Sequence, residues 1–130
     1  MEIDPAVTLR VPAESAYVAL IRAAVSAMCA RLDFTIERLE DVKLAVAESA
    51  ALLLSDAPDG ASLDVRFTPD APQGLRVEMT CPTMHGRSLP RDSFTWTVLT
   101  ALVDEVVATV SPDRNLTISL VAHRAEAVRP

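Results

Sequence analysis

The chain has 130 residues, of which 50% are hydrophobic and 23% are charged, a balance that excludes a disordered or collagen-like chain. Its 12 Lys and Arg residues against 18 Asp and Glu residues give a net charge of −6, which disfavours binding to nucleic acid or to an anionic membrane. A chain of this length can bury a core as one domain without disulfides. The three glycines, Gly60, Gly74 and Gly86, lie far apart in the sequence, so a glycine-rich phosphate loop is not expected.

The N-terminal segment and the two cysteines indicate the compartment. Residues 1–5 are acidic and poor in apolar side chains, unlike a secretory signal peptide. Charged residues interrupt each long apolar run before it reaches the length of a membrane span. The sequence therefore predicts a cytoplasmic protein in which Cys29 and Cys81 are reduced and at least partly buried.

The first half of the chain predicts one strand and two helices. Alternating apolar residues predict a strand over 7–11, and helical spacing predicts a helix over 14–31. The apolar stripe of that helix consists of Tyr17, Leu20, Ile21, Ala24, Val25 and Met28. Thr35 is the expected N-cap of a second helix, which ends near Asp56. Four residues of this second helix are expected to face inward: Val42, Val46, Ala50 and Leu53.

The second half predicts a hairpin, a loop, a third helix and two strands. Two alternating runs within residues 63–81 flank turn-forming residues, which is typical of a β-hairpin. Residues 82–90 lack periodicity and predict a loop, and helical spacing returns over 93–104. Two short strands follow within 106–120, and the tail from His123 is expected to fray.

The strand pattern predicts the fold class. Most strands have one apolar and one polar face, so the sheet is covered on one side only. We therefore predict an α+β protein, a two-layer sandwich in which three helices cover one face of a mixed five-stranded sheet.

Cys81 and His85 are the first candidates for metal chemistry, because they lie close together in sequence. Zinc needs three or four convergent ligands, and His123 is the one other histidine of the chain. A strand-end cysteine beside a surface histidine is therefore the favoured interpretation, and no metal is expected. The sequence also lacks the nucleophile signatures of hydrolases.

Glu48 is an acid within an otherwise apolar part of the second predicted helix. On a helix it lies beside Leu44 and Leu52, at the flank of the buried stripe. A half-buried carboxylate there is either a general base or an acid that is hydrogen-bonded at the margin of the core. From the residues alone we favour the structural role.

Three stretches carry a resemblance to a known family. Residues 20–25, 39–48 and 93–106 resemble the anti-sigma-factor serine-kinase branch of the GHKL ATPases, which are bacterial switch proteins of the RsbW and SpoIIAB type. The order of predicted elements is similar from Val7 to Val121. The resemblance implies the Bergerat, or histidine-kinase-like ATPase, fold in one anti-sigma domain over residues 1–130, whose ordered core spans about residues 7–121.

The nucleotide-binding residues of that family are not matched here. The family has a catalytic Glu followed four residues later by a magnesium-binding Asn; this chain has Glu48 and Leu52, and leucine offers no oxygen to Mg²⁺. The family's Asp-x-Gly-x-Gly stretch corresponds to residues 79–86, which contain no acid and one glycine. Phe94 and Trp96 stand at the end of the missing glycine-rich lid, where we expect them to fill the nucleotide pocket. The resemblance therefore implies no cofactor, with Glu48 as a vestigial base or a structural acid.

The resemblance also implies a partner-binding surface. In the family, a sigma factor and a STAS-type antagonist compete for overlapping faces of a homodimer, and an Arg on the first helix contacts both. Arg22 occupies that position, and we expect it to bind the partner together with Glu14 and Val18. A solvated Arg on an amphipathic helix is the alternative. Dimerisation is expected through the first strand, because an alternating strand at a sheet edge permits it.

The resulting hypothesis is an anti-sigma factor that sequesters an alternative sigma factor by direct binding in the bacterial stress response. A STAS-type anti-anti-sigma factor would release it, without ATP binding or kinase activity. One alternative is an active ATP-dependent serine kinase that still uses Glu48. Others are a ligand-sensing module that binds through Cys81, His85 and Arg87, and an adaptor that binds the antagonist alone.

Overall fold

Strands and helices follow one another in the predicted order in a computed structural model, which describes residues 6–70 and 74–124. The elements are β1 (Val7–Pro12), α1 (Val18–Arg31), α2 (Ile36–Ser55), β2 (Ser62–Asp70), β3 (Gly74–Pro82), α3 (Phe94–Leu102), β4 (Glu105–Val110) and β5 (Asn115–His123). The tip of the predicted hairpin and the tail beyond Arg124 lie outside the described residues.

The five strands form one sheet in the order β1-β2-β3-β5-β4, and each of the four described pairings is antiparallel. The prediction of a mixed sheet is therefore wrong in this respect. The connections explain the result: α1 and α2 return the chain to the end of β1 that it left, since Pro12 pairs with Ser62. The connection through α3 places β4 beyond β5 rather than beside β3.

The helices cover one face of the sheet, as predicted. α2 lies against β3 and β5, while α1 and α3 pack on either side of α2. Thr35 caps α2 by accepting a hydrogen bond from the Arg38 backbone N at 3.1 Å, and Ser93 caps α3 by accepting one from Trp96 N at 3.2 Å. All four residues that were expected to face inward from α2 are buried: Val42, Val46, Ala50 and Leu53.

The first helix differs from its prediction in its start and in its apolar stripe. α1 begins at Val18 rather than near Glu14, because residues 15–17 form a short 3-10 turn. Leu20 is 54% exposed. The buried residues Ile21, Val25 and Cys29 are spaced four apart, so they share one narrow face of the helix, and Leu20 lies to its side.

The core lies between α2 and the covered face of the sheet. Cys29 and Cys81 are both free thiols and both fully buried, which confirms the predicted burial. Burial raises the pKa of the Cys29 thiol to about 12. Within the described part of the chain, no helix is both long enough and apolar enough to cross a membrane.

Candidate functional site

Glu48 and Leu52 lie one turn apart on α2 but meet different surroundings. Glu48 is exposed, while the next residue, Ser49, is fully buried. The expectation of a half-buried carboxylate at position 48 is therefore wrong, because the rotation of the helix carries this side chain past the edge of the buried stripe.

Leu52 is half-buried and lines a surface cleft of about 690 Å³ at the C-terminal end of α2. This volume falls within the range of small-molecule sites, roughly 300–1,000 Å³. Glu48 does not line the cleft. The cleft, called here the α2 cleft, is lined by Leu52, Ser55, Asp56, His85, Arg87, Ser88, Leu89, Pro90 and Leu116.

One wall of the α2 cleft is a loop tied to the end of α2. Both carboxylate oxygens of Asp56 accept hydrogen bonds from His85, one from the ring Nδ1 and one from the backbone N. The side-chain hydrogen bond with His85 lowers the pKa of Asp56. The backbone N of Met84 donates to the Asp56 carbonyl at 2.8 Å. The Gly86 backbone N donates to Thr83 Oγ1, and Gly86 adopts a left-handed φ of 65° that favours glycine. The wall is thus preformed.

One residue that lines the α2 cleft stands where the resemblance implies a Mg²⁺ ligand. At the position of the family's Mg²⁺ ligand, Leu52 presents a hydrocarbon side chain, and a hard cation requires oxygen ligands. The loop residues around Gly86 offer one glycine, and its amide is already bonded to Thr83. Among the described residues, no group of three or more His, Cys, Asp or Glu side chains could hold a metal ion.

Three further expectations concern residues around the α2 cleft. Phe94 is 83% exposed and does not line the cleft, so the expectation that it fills the nucleotide pocket is wrong. Trp96 is half-buried against the core, with the Arg91 guanidinium 5.4 Å from its ring centroid, and it too is not part of the cleft lining. Cys81 is buried in the core, whereas His85 is exposed, so these two side chains do not form a common site.

The expected partner residues lie on α1 and just before it. Arg22 and Glu14 are exposed, and Val18 is half-buried against the core. Arg22 points away from the buried face of α1, as expected. It lines a concavity of about 400 Å³ between α1 and α2, and a neighbouring one of about 220 Å³. Together these form what we call the α1–α2 groove, lined by Ala19, Arg22, Ala23, Ser26, Glu40, Asp41, Lys43, Leu44 and Ala47.

The charges of the α1–α2 groove are not all alike. Lys43 lies 3.6 Å from Glu40, and Asp41 lies 3.2 Å from Arg38, so each of these charges has an opposite neighbour. For Arg22, the structure records no ion pair with a described residue. Leu44 is 49% exposed beside it. The groove therefore presents a cation next to an exposed apolar side chain.

Sequence reasoning missed part of what α2 contributes to the two surfaces. Lys43 and Leu44 belong to the α1–α2 groove, and Asp56 was identified only as a helix stop although it holds the wall of the α2 cleft. An exposed leucine beside a lysine on a helix was the available signal for the groove. The pairing of Asp56 with His85 links residues 29 positions apart, and no local pattern indicates it.

Part of this chain is similar in sequence to a known protein. No protein-family model matches the chain. Over 62 residues it is 36% identical to the serine-protein kinase RsbW of Halalkalibacterium halodurans, a match that covers 47% of this chain. The matched part corresponds to 38% of that relative's length.

A solved structure shows a similar fold. The RsbU and RsbW domains of Rv1364c from Mycobacterium tuberculosis match 92% of this chain with a TM-score of 0.67 and 15% sequence identity. The match covers 32% of that chain. At this identity the likeness concerns the fold, and it confirms the predicted α+β sandwich. Together the two comparisons confirm the resemblance to the RsbW-type branch.

Proposed function

We propose that this protein is an anti-sigma factor that sequesters a sigma factor by direct binding and is released by a STAS-type antagonist, without ATP binding or kinase activity. The observation that carries the proposal is the α1–α2 groove, which presents an exposed Arg22 beside Leu44. The similarity to RsbW over 62 residues supports the choice of partner class. Val18 lies one turn before Arg22 on α1, and Glu14 precedes the short 3-10 turn, so the two residues extend the proposed surface towards and beyond the start of α1.

The chemistry of the α1–α2 groove suits a protein partner. The Arg22 guanidinium, which has no recorded ion pair within residues 6–70 and 74–124, lies next to exposed Leu44 and suits a segment that places a carboxylate beside an apolar side chain. The net charge of −6 adds a longer-range attraction for a partner with basic surfaces, such as a DNA-binding sigma factor. Charge steering and local pairing thus act together, one on the association rate and the other on the lifetime of the complex.

The absence of kinase activity is proposed from the α2 cleft. Phosphoryl transfer depends on positioned metal ions and phosphate-binding groups, and Leu52 supplies neither. The relative's name, serine-protein kinase, favours the second candidate function, an active kinase with divergent motifs that uses Glu48. We further propose that the protein is cytoplasmic, forms one anti-sigma domain over residues 1–130 with an ordered core of about residues 7–121, and is a homodimer joined through β1.

A binding experiment tests the proposal. A tagged pull-down from the native host identifies the sigma factor, whose affinity for the purified chain is then measured by calorimetry with and without Mg-ATP. We expect binding without nucleotide, at an affinity that Mg-ATP leaves unchanged. We expect Arg22→Ala to weaken binding about tenfold or more, as central interface arginines do.

The matched control is Arg66→Ala, which removes an exposed Arg of β2, well away from the α1–α2 groove, and should leave the affinity unchanged. Binding that requires Mg-ATP would instead support the active kinase. Recovery of a STAS-type protein alone would make the chain an adaptor. Equal effects of the two substitutions would remove Arg22 from the proposed surface.

A further inference from the structure

The α2 cleft has an apolar interior. Leu89 and Leu116 are both 6% exposed, and half-buried Leu52 lies on α2 beside them. Leu52 therefore does more than replace a magnesium ligand, because it continues the apolar surface that Leu89 of the loop before α3 and Leu116 of β5 form. Binding the hydrocarbon part of a ligand on such a surface is favourable, because it removes apolar area from water.

The polar side chains at the rim of the α2 cleft differ in whether they already have hydrogen-bond or ion-pair partners. Asp56 directs both carboxylate oxygens to His85, so both oxygens already accept hydrogen bonds within the rim. Arg87 is exposed on the same rim, and none of the ion pairs among the described residues includes it. Arg114 lies behind the loop and donates to the Met84 carbonyl at 3.2 Å. The rim therefore offers one uncommitted cation, Arg87, above an apolar interior.

We propose that the α2 cleft binds a small amphipathic anion, an apolar body carrying one carboxylate, rather than a magnesium nucleotide. The carboxylate pairs with Arg87 and the apolar body packs on Leu52, Leu89 and Leu116. Arg87 supplies one positive charge, which balances a single carboxylate better than it balances a triphosphate. Because hydrogen bonds from His85 and Met84 already hold the wall to α2, little ordering opposes binding.

Octanoate is the probe for this site. Binding to the full chain is measured by calorimetry, and the site is located by methyl chemical-shift changes. We expect octanoate to bind at millimolar or lower concentration, with shifts at Leu52, Leu89 and Leu116. Arg87→Gln should weaken binding about tenfold, since it removes a charge-assisted hydrogen bond. Arg91→Gln, a substitution in the same connection between β3 and α3 but outside the cleft lining, is the matched control and should have no effect.

Three probes decide the ligand class. Inorganic phosphate tests the charge alone, 1-octanol tests the apolar body alone, and Mg-ATP tests the nucleotide. Both partial probes should bind at least about tenfold more weakly than octanoate, and Mg-ATP should not displace it. The proposal is overturned if octanoate does not bind, if phosphate binds as well, if Mg-ATP competes, or if the two Arg substitutions act equally. This test is independent of the sigma-factor experiment, because it uses neither Arg22 nor a protein partner.

Discussion

Arg38 is a buried cation that joins three parts of the fold. Its guanidinium donates from Nη1 to the Leu102 carbonyl at 2.8 Å and from Nε to the His123 carbonyl at 3.1 Å. From Nη2 it donates to Asp104 at 2.8 Å, and the same carboxylate accepts the backbone N of His123 at 2.7 Å. One side chain of α2 thus holds the end of α3 and the last residue of β5.

We expect Arg38→Ala to lower the free energy of unfolding by about 2–4 kcal/mol, because two carbonyls lose their donor while the partly exposed Asp104 is rehydrated. Urea unfolding measures the change. Lys43→Ala on the same helix removes a more exposed ion pair with Glu40 and should cost less than about 0.5 kcal/mol. Similar losses for the two variants would contradict the role assigned to Arg38.

At this scale the sequence predicted burial better than it predicted pairing. Cys29 was correctly expected to be buried, as were the inward residues of α2, because periodicity reports which face is apolar. Arg38 was missed, since an Arg in the first turn of a helix is ordinarily solvated and its two carbonyl acceptors lie 64 and 85 residues away. Glu48 was wrongly predicted to be half-buried, because a difference of one position on a helix separates the flank of the buried stripe from the solvent-exposed face.

The loop between β3 and α3 depends on α2 for its position. Asp56, at the end of α2, accepts two hydrogen bonds from His85. The side-chain hydrogen bond from His85 is also the main cause of the lowered pKa of Asp56 in the folded protein. A group with a lowered folded pKa stabilises the fold above its unfolded pKa, and this contribution is lost as the pH falls through the folded value.

We therefore expect Asp56→Ala to reduce the hydrogen-exchange protection of the His85 amide at neutral pH. In the unsubstituted protein the same loss should occur on acidification below about pH 4, near the ordinary pKa of Asp. Exchange measured by NMR tests both statements. Asp59→Ala in the following turn is the control, because no side-chain hydrogen bond of Asp59 is recorded among the described residues. Unchanged protection in Asp56→Ala would show that the backbone contact of Met84 alone holds the loop.

The elements themselves were largely predictable, and their ends were not. Thr35 was predicted as the N-cap of α2 from its local sequence, and the structure confirms it. Ser93 caps α3 in the same way. The start of α1 shifted to Val18 because a 3-10 turn has nearly the same periodicity as a helix over three residues. Strand direction was missed because it depends on where connections return the chain, which no single element encodes.

At the scale of the whole molecule, the sheet has two edges, β1 and β4, that differ in their surroundings. Each carries an exposed valine, since Val7 is 46% exposed and Val107 is 49% exposed. Beside β4, Ser88 donates to the Ala108 carbonyl at 3.4 Å, so the loop approaches that edge. β1 pairs with β2 on one side, and its other side is an edge of the sheet. An edge of this kind is a template for pairing with a second chain, which supports β1 as the proposed dimer contact.

We expect a protein of twice the chain mass of 14.0 kDa in sedimentation experiments, and we expect Val7→Lys to shift it towards the monomer. A lysine on an edge strand opposes pairing, because two copies would bring like charges together. Val107→Lys makes the same change at the other edge and should leave the mass unchanged. A monomeric unsubstituted protein would refute the proposed homodimer, whereas dissociation by Val107→Lys alone would move the contact to β4. Because Arg22 lies on α1 and not on an edge strand, the dimer variants should retain partner binding, which separates assembly from recognition.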